Sequence, residues 1–157
     1  MKPLLSILLC SLAAFHAQAR LGETQQEIEA RYGKPISEVE VAHGGNVKAE
    51  KREYLYSGLK VTVEFLEGKS QMEMVQVLPR IEGVPESNYL TDVQAKAVLD
   101  GNCRGKAWIV DGKHSDGTTK LWTLTVGGKE VAYANLSNNV IQLFTSDYKQ
   151  LCAKPQD

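Results

Sequence analysis

The amino-acid sequence predicts an α+β fold in which short helices pack on antiparallel sheet. Three observations lead to this prediction: two short helices with complete start and stop signals, strands of period-two patterning after each helix, and tight-turn residues between those strands. Because the order of helix and strands occurs twice, we expect one small domain, residues 20–157, built from two similar halves, about residues 20–82 and 88–157.

Residues 1–19, MKPLLSILLCSLAAFHAQA, have the features of a secretory signal peptide. A positive charge precedes an apolar run, and Ala-Gln-Ala at the end is an A-x-A cleavage site. A membrane anchor is the alternative, but polar residues interrupt the roughly 20 apolar residues that a bilayer span needs. Leucines directly before Cys10 also argue against its lipidation. We therefore expect a secreted or periplasmic protein with no membrane span after cleavage.

The charge of the remaining chain argues against a polyanionic partner. Residues 20–157 contain 17 basic and 19 acidic side chains, and the basic ones form no stripe along the sequence. Nucleic acids and anionic membrane surfaces select proteins with a concentrated positive charge. We therefore expect neither of them as a partner.

The first helix is predicted in LGETQQEIEARYGKP, residues 21–35. Thr24 and Glu27 have the spacing of a capping box, in which each side chain satisfies a backbone amide at the helix start. Ile28 and Tyr32 lie four residues apart on one face, and the Gly-Lys-Pro that follows ends the helix. A helix this short is unstable alone in water, so we expect it to cover the sheet.

The second helix is predicted in YLTDVQAKAVLDGN, 67 residues further along. Thr91 and Gln94 again have the spacing of a capping box, and a glycine ends the pattern. Val93, Ala97 and Val98 are the predicted apolar face.

The strands of the first half are predicted from LKVTVEFLEGKSQMEMVQV. Its apolar residues alternate with polar ones, and a turn at Glu-Gly places Met72 opposite Val63 and Met74 opposite Val61. These four side chains would lie on one buried face. The preceding VAHGGNVKAE, which contains His43, is predicted to be a flexible loop.

The strands of the second half contain most of the aromatic residues of the chain. Symmetric pairing across the predicted loop at residues 113–117 puts Trp108 opposite Trp122. A tight turn at Gly-Gly then puts Trp122 opposite Tyr133 and Leu124 opposite Val131. We expect these side chains on one face of the sheet.

Trp108, Trp122 and Tyr133 are the candidate binding residues. If a helix covers their face they belong to the core, and if it does not they form a surface on which peptides or sugars stack. Both interpretations remain open at this point.

Cys103 and Cys152 predict a disulfide, since the chain is expected to enter an oxidising compartment. On the chain-entropy model a bridge closing this loop stabilises the fold by roughly 4 kcal/mol. It would tie the end of the second helix to a third short helix, SDYKQLCAK, for which Ser146 is the predicted cap. A reactive or metal-binding thiol pair is the alternative.

Catalytic motifs are sparse. The stretch VDGKHSDGTT contains His114, Ser115 and Asp116, but neighbours in a tight loop point in different directions, and turn chemistry explains the Ser-Asp-Gly sequence. The sequence shows no nucleophile elbow, no phosphate loop and no zinc-ligand spacing. We therefore expect no catalytic residue, no metal ligand and no cofactor. A hydrolase-like site of His114 and Asp116, joined by His43, is the enzymatic alternative.

Residues 21–35 resemble the helix-turn signature of small bacterial envelope proteins related to the BamE (SmpA/OmlA) lipoproteins and the β-lactamase inhibitor proteins. The resemblance implies short helices paired with antiparallel strands, and a tendency to bind other proteins. The lipoproteins carry an acylated cysteine after the signal peptide, and this sequence has none there. The matching residues are Gly22, Thr24, Ile28, Tyr32, Gly33 and Pro35.

Together these features favour a non-catalytic protein-binding module whose partner is another envelope or extracellular protein. The hydrolase-like enzyme and a purely structural envelope component are the alternatives.

Overall fold

The computed structural model describes residues 20–44, 47–78, 89–103, 105–113, 119–137 and 139–154. The predicted signal peptide, the residues between the two predicted halves (83–87), and His114, Ser115 and Asp116 lie outside these ranges. No helix within the described ranges is long and apolar enough to cross a membrane.

The described chain forms one antiparallel sheet with three short helices. The helices are α1 (Gln25–Tyr32), α2 (Asp92–Gly101) and α3 (Ser146–Cys152). The strands are β1 (Ser37–His43), β2 (Val47–Tyr56), β3 (Leu59–Leu66), β4 (Lys69–Val77), β5 (Trp108–Lys113), β6 (Lys120–Val126), β7 (Lys129–Ser137) and β8 (Val140–Thr145). Their order across the sheet is β1-β2-β3-β4-β8-β7-β6-β5.

The predicted α+β class, with two helix-then-strand units, is wrong. Strands account for 54% of the described residues and helices for 22%, so this part of the chain is predominantly β. The strands are one continuous sheet because β4 pairs with β8, where Val75 lies opposite Ile141. Both of these side chains are buried in the common core. Without the pairing, β4 and β8 would each be an edge strand with apolar side chains exposed to solvent. A pairing between strands so distant in sequence has no local signature.

Helices α1 and α2 both cover the side of the sheet that we call the helix face, to which Val61, Val75 and Leu143 point. The predicted capping boxes at Thr24 and Thr91 are confirmed. They fix where each helix begins, and therefore which side chains reach the core.

The buried side of α1 agrees with the prediction and that of α2 does not. Ile28 and Tyr32 of α1 are buried, as their spacing predicts. In α2 the buried residues include Val98, but Val93 is exposed and Ala97 is exposed as well. The helix turns Ala95, Val98 and Leu99 towards the sheet instead.

Helix α3 packs on the other side of the sheet, which we call the α3 face, against β4, β7 and β8. Its cap is Thr145, whose hydroxyl accepts from the backbone N–H of Tyr148, so the prediction of Ser146 is one residue late. Tyr148 and Leu151 are its buried residues.

A β-bulge corrects the predicted register of the β3–β4 hairpin. The register shifts between Glu64 and Phe65, so that Val63 lies opposite Glu73 rather than Met72. Because successive residues of a strand face opposite sides, a shift of one residue exchanges the two faces. Met72 and Met74 therefore lie on the α3 face, and Glu73 lies among the apolar side chains of the helix face.

Bulges also correct the registers of the second half. Trp108 lies opposite Leu124 instead of Trp122, which moves the pairing by two residues and leaves both tryptophans on the helix face. Trp122 lies opposite Ala134 instead of Tyr133, a shift of one residue. Tyr133 therefore points to the α3 face.

The predicted disulfide is not supported. Cys103 and Cys152 are both free thiols. Cys103 lies two residues after α2, which covers the helix face, whereas Cys152 ends α3, which covers the opposite face.

Candidate functional site

Trp108 and Trp122 lie on the helix face and are partly buried against the core. The indole Nε1 of Trp108 donates a hydrogen bond to the carbonyl oxygen of Leu99 in α2, at 2.7 Å. This contact satisfies the indole and fixes the end of the helix on the sheet. Trp108 thus holds α2 on the sheet, and Trp122 packs against the core.

Tyr133 belongs to a different surface, on the α3 face. Its ring stacks on Phe144, with 5.7 Å between centroids, and the Nζ atom of Lys149 lies 3.7 Å from its centroid. Its hydroxyl donates to Glu130 at 2.6 Å, a hydrogen bond that raises the pKa of Tyr133 to about 12. The three candidate binding residues therefore do not form one surface.

Four other side chains meet on the α3 face, and we call them the thiol cluster: His43, Glu64, Tyr148 and Cys152. The Nε2 atom of His43 lies 2.8 Å from Glu64 Oε2, and its Nδ1 atom lies 4.0 Å from the Sγ atom of Cys152. Cys152 is exposed, whereas the side chains of His43 and Glu64 are 15% and 10% exposed. An imidazole held between a carboxylate and a thiol is the arrangement by which a base activates a nucleophile.

Tyr148 holds the carboxylate of the thiol cluster from the other side. Its hydroxyl donates to Glu64 Oε2 at 2.8 Å, and its ring contacts His43 edge to face at 5.4 Å. Burial, and then the hydrogen bond to Glu64, raise the pKa of Tyr148. The phenol therefore stays neutral and keeps its proton for Glu64 across the ordinary pH range.

A glycine brings the two ends of the thiol cluster together. Gly44 follows His43 directly, and a Cβ atom at this position would lie 2.6 Å from the carbonyl oxygen of Lys154. No side chain fits in that space, so glycine lets the end of β1 touch the chain just after α3. His43 and Cys152 meet because of this close approach.

Sequence reasoning missed the thiol cluster because its members are far apart in the chain. His43 was expected in a flexible loop, but it is the last residue of β1. Cys152 was expected in a disulfide. The signal that could have found the site is the Gly44 position together with an alternating strand before it, which would have placed His43 at a strand end.

Another polar group is buried on the helix face. Glu73 of β4 is 1% exposed, accepts a hydrogen bond from the hydroxyl of Tyr32 at 2.8 Å, and is hydrogen-bonded to Asn102 after α2. Burial raises the pKa of Glu73 to about 7, although the bond from Tyr32 and the charge of Arg31 act in the opposite direction. This carboxyl group connects α1, α2 and β4 where no solvent reaches.

The two outer strands of the sheet differ in character. In β1, Glu38 and Glu40 form ion pairs with Arg52 and Lys48, at 3.5 Å and 2.7 Å. In β5, the consecutive residues Ile109 and Val110 are 58% and 68% exposed.

Within the described residues, no three His, Cys, Asp or Glu side chains are placed to hold a metal ion. A cavity of about 540 Å³ lies along α3, lined by Asp147, Leu151 and Lys154 among others. Cys152 is not part of its lining, so this cavity is separate from the thiol cluster.

Comparison with protein-family models gave no match, and comparison with curated proteins gave none either. Among solved structures, the chain is similar to an extracellular protein containing a SCP domain from Bacillus anthracis, with 12% sequence identity and a TM-score of 0.44. The likeness covers 83% of this chain and 46% of that protein. It has no bearing on the resemblance to the BamE lipoproteins, which stays a prediction.

Proposed function

We propose that this protein is a secreted or periplasmic, non-catalytic protein-binding module that pairs an extended segment of another protein with the outer edge of β5. The observation that carries the proposal is the exposure of Ile109 and Val110, two consecutive apolar residues on an outer strand. The secretory location rests on the predicted signal peptide.

An outer strand directs the N–H and C=O groups of every second residue away from the sheet, where an incoming strand can bond to them. Consecutive residues point to opposite faces, so Ile109 and Val110 would contact an added strand from both sides. Burying an apolar side chain of this size contributes ~1.5–3 kcal/mol. Backbone bonds and two apolar contacts together provide affinity and some selectivity.

The bulge between Val110 and Gly112 favours an extended segment of another protein over a second copy of this chain. Two copies of β5 paired side by side would each contain the bulge, so regular pairing would stop after Val110 in both. Such a short ladder buries far less than the roughly 800 Å² per partner of a stable interface. A flexible segment, by contrast, follows the bend in the strand.

Site-specific photo-crosslinking in the native envelope or culture medium tests this proposal. A photoreactive residue at Val110 is expected to capture one partner protein. The matched control is the same residue at Val39, which is 45% exposed in the other outer strand, β1. Equal capture at both positions, or a crosslink only to a second copy of the chain, would contradict the proposal.

The captured partner then allows a quantitative test. The double variant Ile109→Lys/Val110→Lys should bind at least about tenfold more weakly, since each lost apolar contact costs ~1.5–3 kcal/mol. Val39→Lys should bind as the unaltered protein does. Hydrogen exchange of β5 amides should slow on binding, and protection confined to another strand would argue against this edge.

A further inference from the structure

We propose that Cys152 is a nucleophilic thiol that exchanges once with a disulfide and keeps the mixed disulfide, with His43 as its base and Glu64 as the residue that orients His43. The exchange modifies the protein without turnover, so it is compatible with a non-catalytic binding module. The site lies on the α3 face, and the inference does not depend on the binding edge at β5.

The hydrogen bonds define the roles. Glu64 accepts from His43 Nε2 at 2.8 Å, which leaves the lone pair of Nδ1 directed at Cys152. The distance of 4.0 Å from Nδ1 to Sγ is the length of a weak hydrogen bond to sulfur. A thiol proton can therefore pass to Nδ1, and the imidazolium that forms is stabilised by the carboxylate beside it.

The exchange begins with a proton transfer. His43 takes the proton of Cys152, and the thiolate attacks one sulfur of a disulfide R–S–S–R. A new S–S bond forms between Cys152 and one R–S group while the original S–S bond breaks. The leaving R–S⁻ group takes the proton back from His43 and departs as a thiol. Cys152 is oxidised to a mixed disulfide, and the other half of the small disulfide is reduced.

Two further residues position these groups. Tyr148 donates to the same Oε2 atom of Glu64 that His43 contacts, so the carboxylate cannot turn away from the imidazole. Gly44 allows the close approach between the end of β1 and the chain after α3. We expect Gly44→Ala to lower the reactivity of Cys152 by separating its sulfur from His43, without touching either side chain.

Cys103 provides a control thiol within the same molecule. It is partly exposed and lies on the helix face, whereas His43, the only histidine within the described ranges, lies on the opposite face. The ionisable groups that face Cys152 are His43 of β1, Glu64 of β3 and Tyr148 of its own helix. Because Cys152 is also the more exposed of the two thiols, the part of the rate difference that depends on His43 is the part that reports on these groups.

The experiment incubates the full chain with oxidised glutathione and measures the glutathionylation of each cysteine by peptide mass spectrometry. At pH 7 we expect Cys152 to react about tenfold faster than Cys103, a modest value beside the ~100-fold or more usual for general-base catalysis. The advantage should shrink towards pH 9, where most thiols ionise without a base.

Substitutions show whether Cys152 reacts fast because His43 activates its thiol or only because the thiol is exposed. His43→Gln should reduce the rate at Cys152 several-fold, and Glu64→Gln should reduce it by a smaller factor. Gln150→Ala, at an exposed position of the same helix, should leave it unchanged. An unchanged rate at Cys103 shows that each variant is folded, because unfolding would expose that thiol.

Three outcomes would overturn the proposal: equal rates at both cysteines, a rate at Cys152 that survives His43→Gln in a folded variant, or a Cys103–Cys152 bridge in the non-reduced protein. None of them affects the binding edge, which is tested by separate variants.

Discussion

Two tyrosine–glutamate pairs lie on opposite faces of the same sheet, and they differ in what surrounds them. Tyr32 of α1 donates to Glu73, and Tyr148 of α3 donates to Glu64, each at 2.8 Å. Both pairs connect a short helix to a central strand. Glu73 is sealed beneath α1 and α2, whereas Glu64 is linked through His43 to the exposed thiol of Cys152.

The same tyrosine–glutamate hydrogen bond therefore has a different role on each face, depending on the residues that surround the carboxyl group. On the helix face the carboxyl group has no path to solvent, and the pair only fixes α1 on the sheet. On the α3 face the second partner of the carboxylate is an imidazole, which turns an attachment point into a reactive site. Both arise from adjacent strands because Glu73 lies opposite Val63, the residue before Glu64.

The largest expected effect comes from replacing the sealed carboxyl group. Burial raises the pKa of Glu73 from its ordinary 4.5 to about 7, so the folded protein binds this proton more tightly than the unfolded chain does. Its contribution to stability is therefore full below pH 4.5, falls as the pH rises from 4.5 to 7, and stays low above pH 7. Glu73→Gln should be more stable than the unaltered protein at pH 8, by at most ~3 kcal/mol.

Urea unfolding at pH 5 and pH 8 measures this difference. The gain of Glu73→Gln should nearly vanish at pH 5, where the glutamate is protonated in the folded protein. Glu67→Gln, in the exposed turn between β3 and β4, is the matched control and should show no such pH dependence. A gain that is equal at both pH values would mean that Glu73 is not protonated by burial.

A smaller effect comes from removing each tyrosine hydroxyl at pH 8. Tyr32→Phe removes a hydrogen bond to a charged, fully buried carboxylate and should cost ~1–3 kcal/mol. Tyr148→Phe should cost only ~0.5–1.5 kcal/mol, because Glu64 keeps its contact with His43. Unfolding in urea measures both variants. An equal cost would show that the two faces do not differ as we infer.

The sequence predicts the starts of α1 and α2 better than it predicts either tyrosine–glutamate pair. Thr24 with Glu27 and Thr91 with Gln94 are local patterns, and the hydrogen bonds that they imply are formed within one helical turn. The burial of Tyr32 follows from the same local geometry. Its partner Glu73 could not be predicted, because the alternation in β4 indicates that this residue faces solvent.

The bulges explain most of the remaining errors. A bulge adds one residue to one strand, and nothing in the alternation around Glu64 or Leu124 shows where this happens. The same limit hides the pairing of Cys152 with His43, because it depends on a close approach at Gly44 between distant segments. The sequence therefore predicts structure within a segment, such as helix caps, but it does not predict contacts between distant segments.

An effect about as small as that of Tyr148→Phe concerns the residue that caps α3. Thr145 accepts directly from the backbone N–H of Tyr148, and its hydroxyl also donates to Gln71 at 2.6 Å. Thr145→Ala should cost about 1 kcal/mol, the usual value for a lost N-cap. Thr145→Ser, which keeps the hydroxyl, is the matched control.

Thr145→Ala tests whether the two faces of the sheet are independent, because its effect should be confined to the α3 face. Since the Thr145 cap bonds Tyr148 itself, its loss loosens the residue that holds Glu64, and glutathionylation of Cys152 should slow. The pair of Tyr32 and Glu73 is anchored by a different cap and should be unchanged, which hydrogen exchange in α1 can report. Faster exchange in α1 as well as α3 would mean that the sheet couples its two faces, and the division between a sealed pair and a reactive one would then not hold.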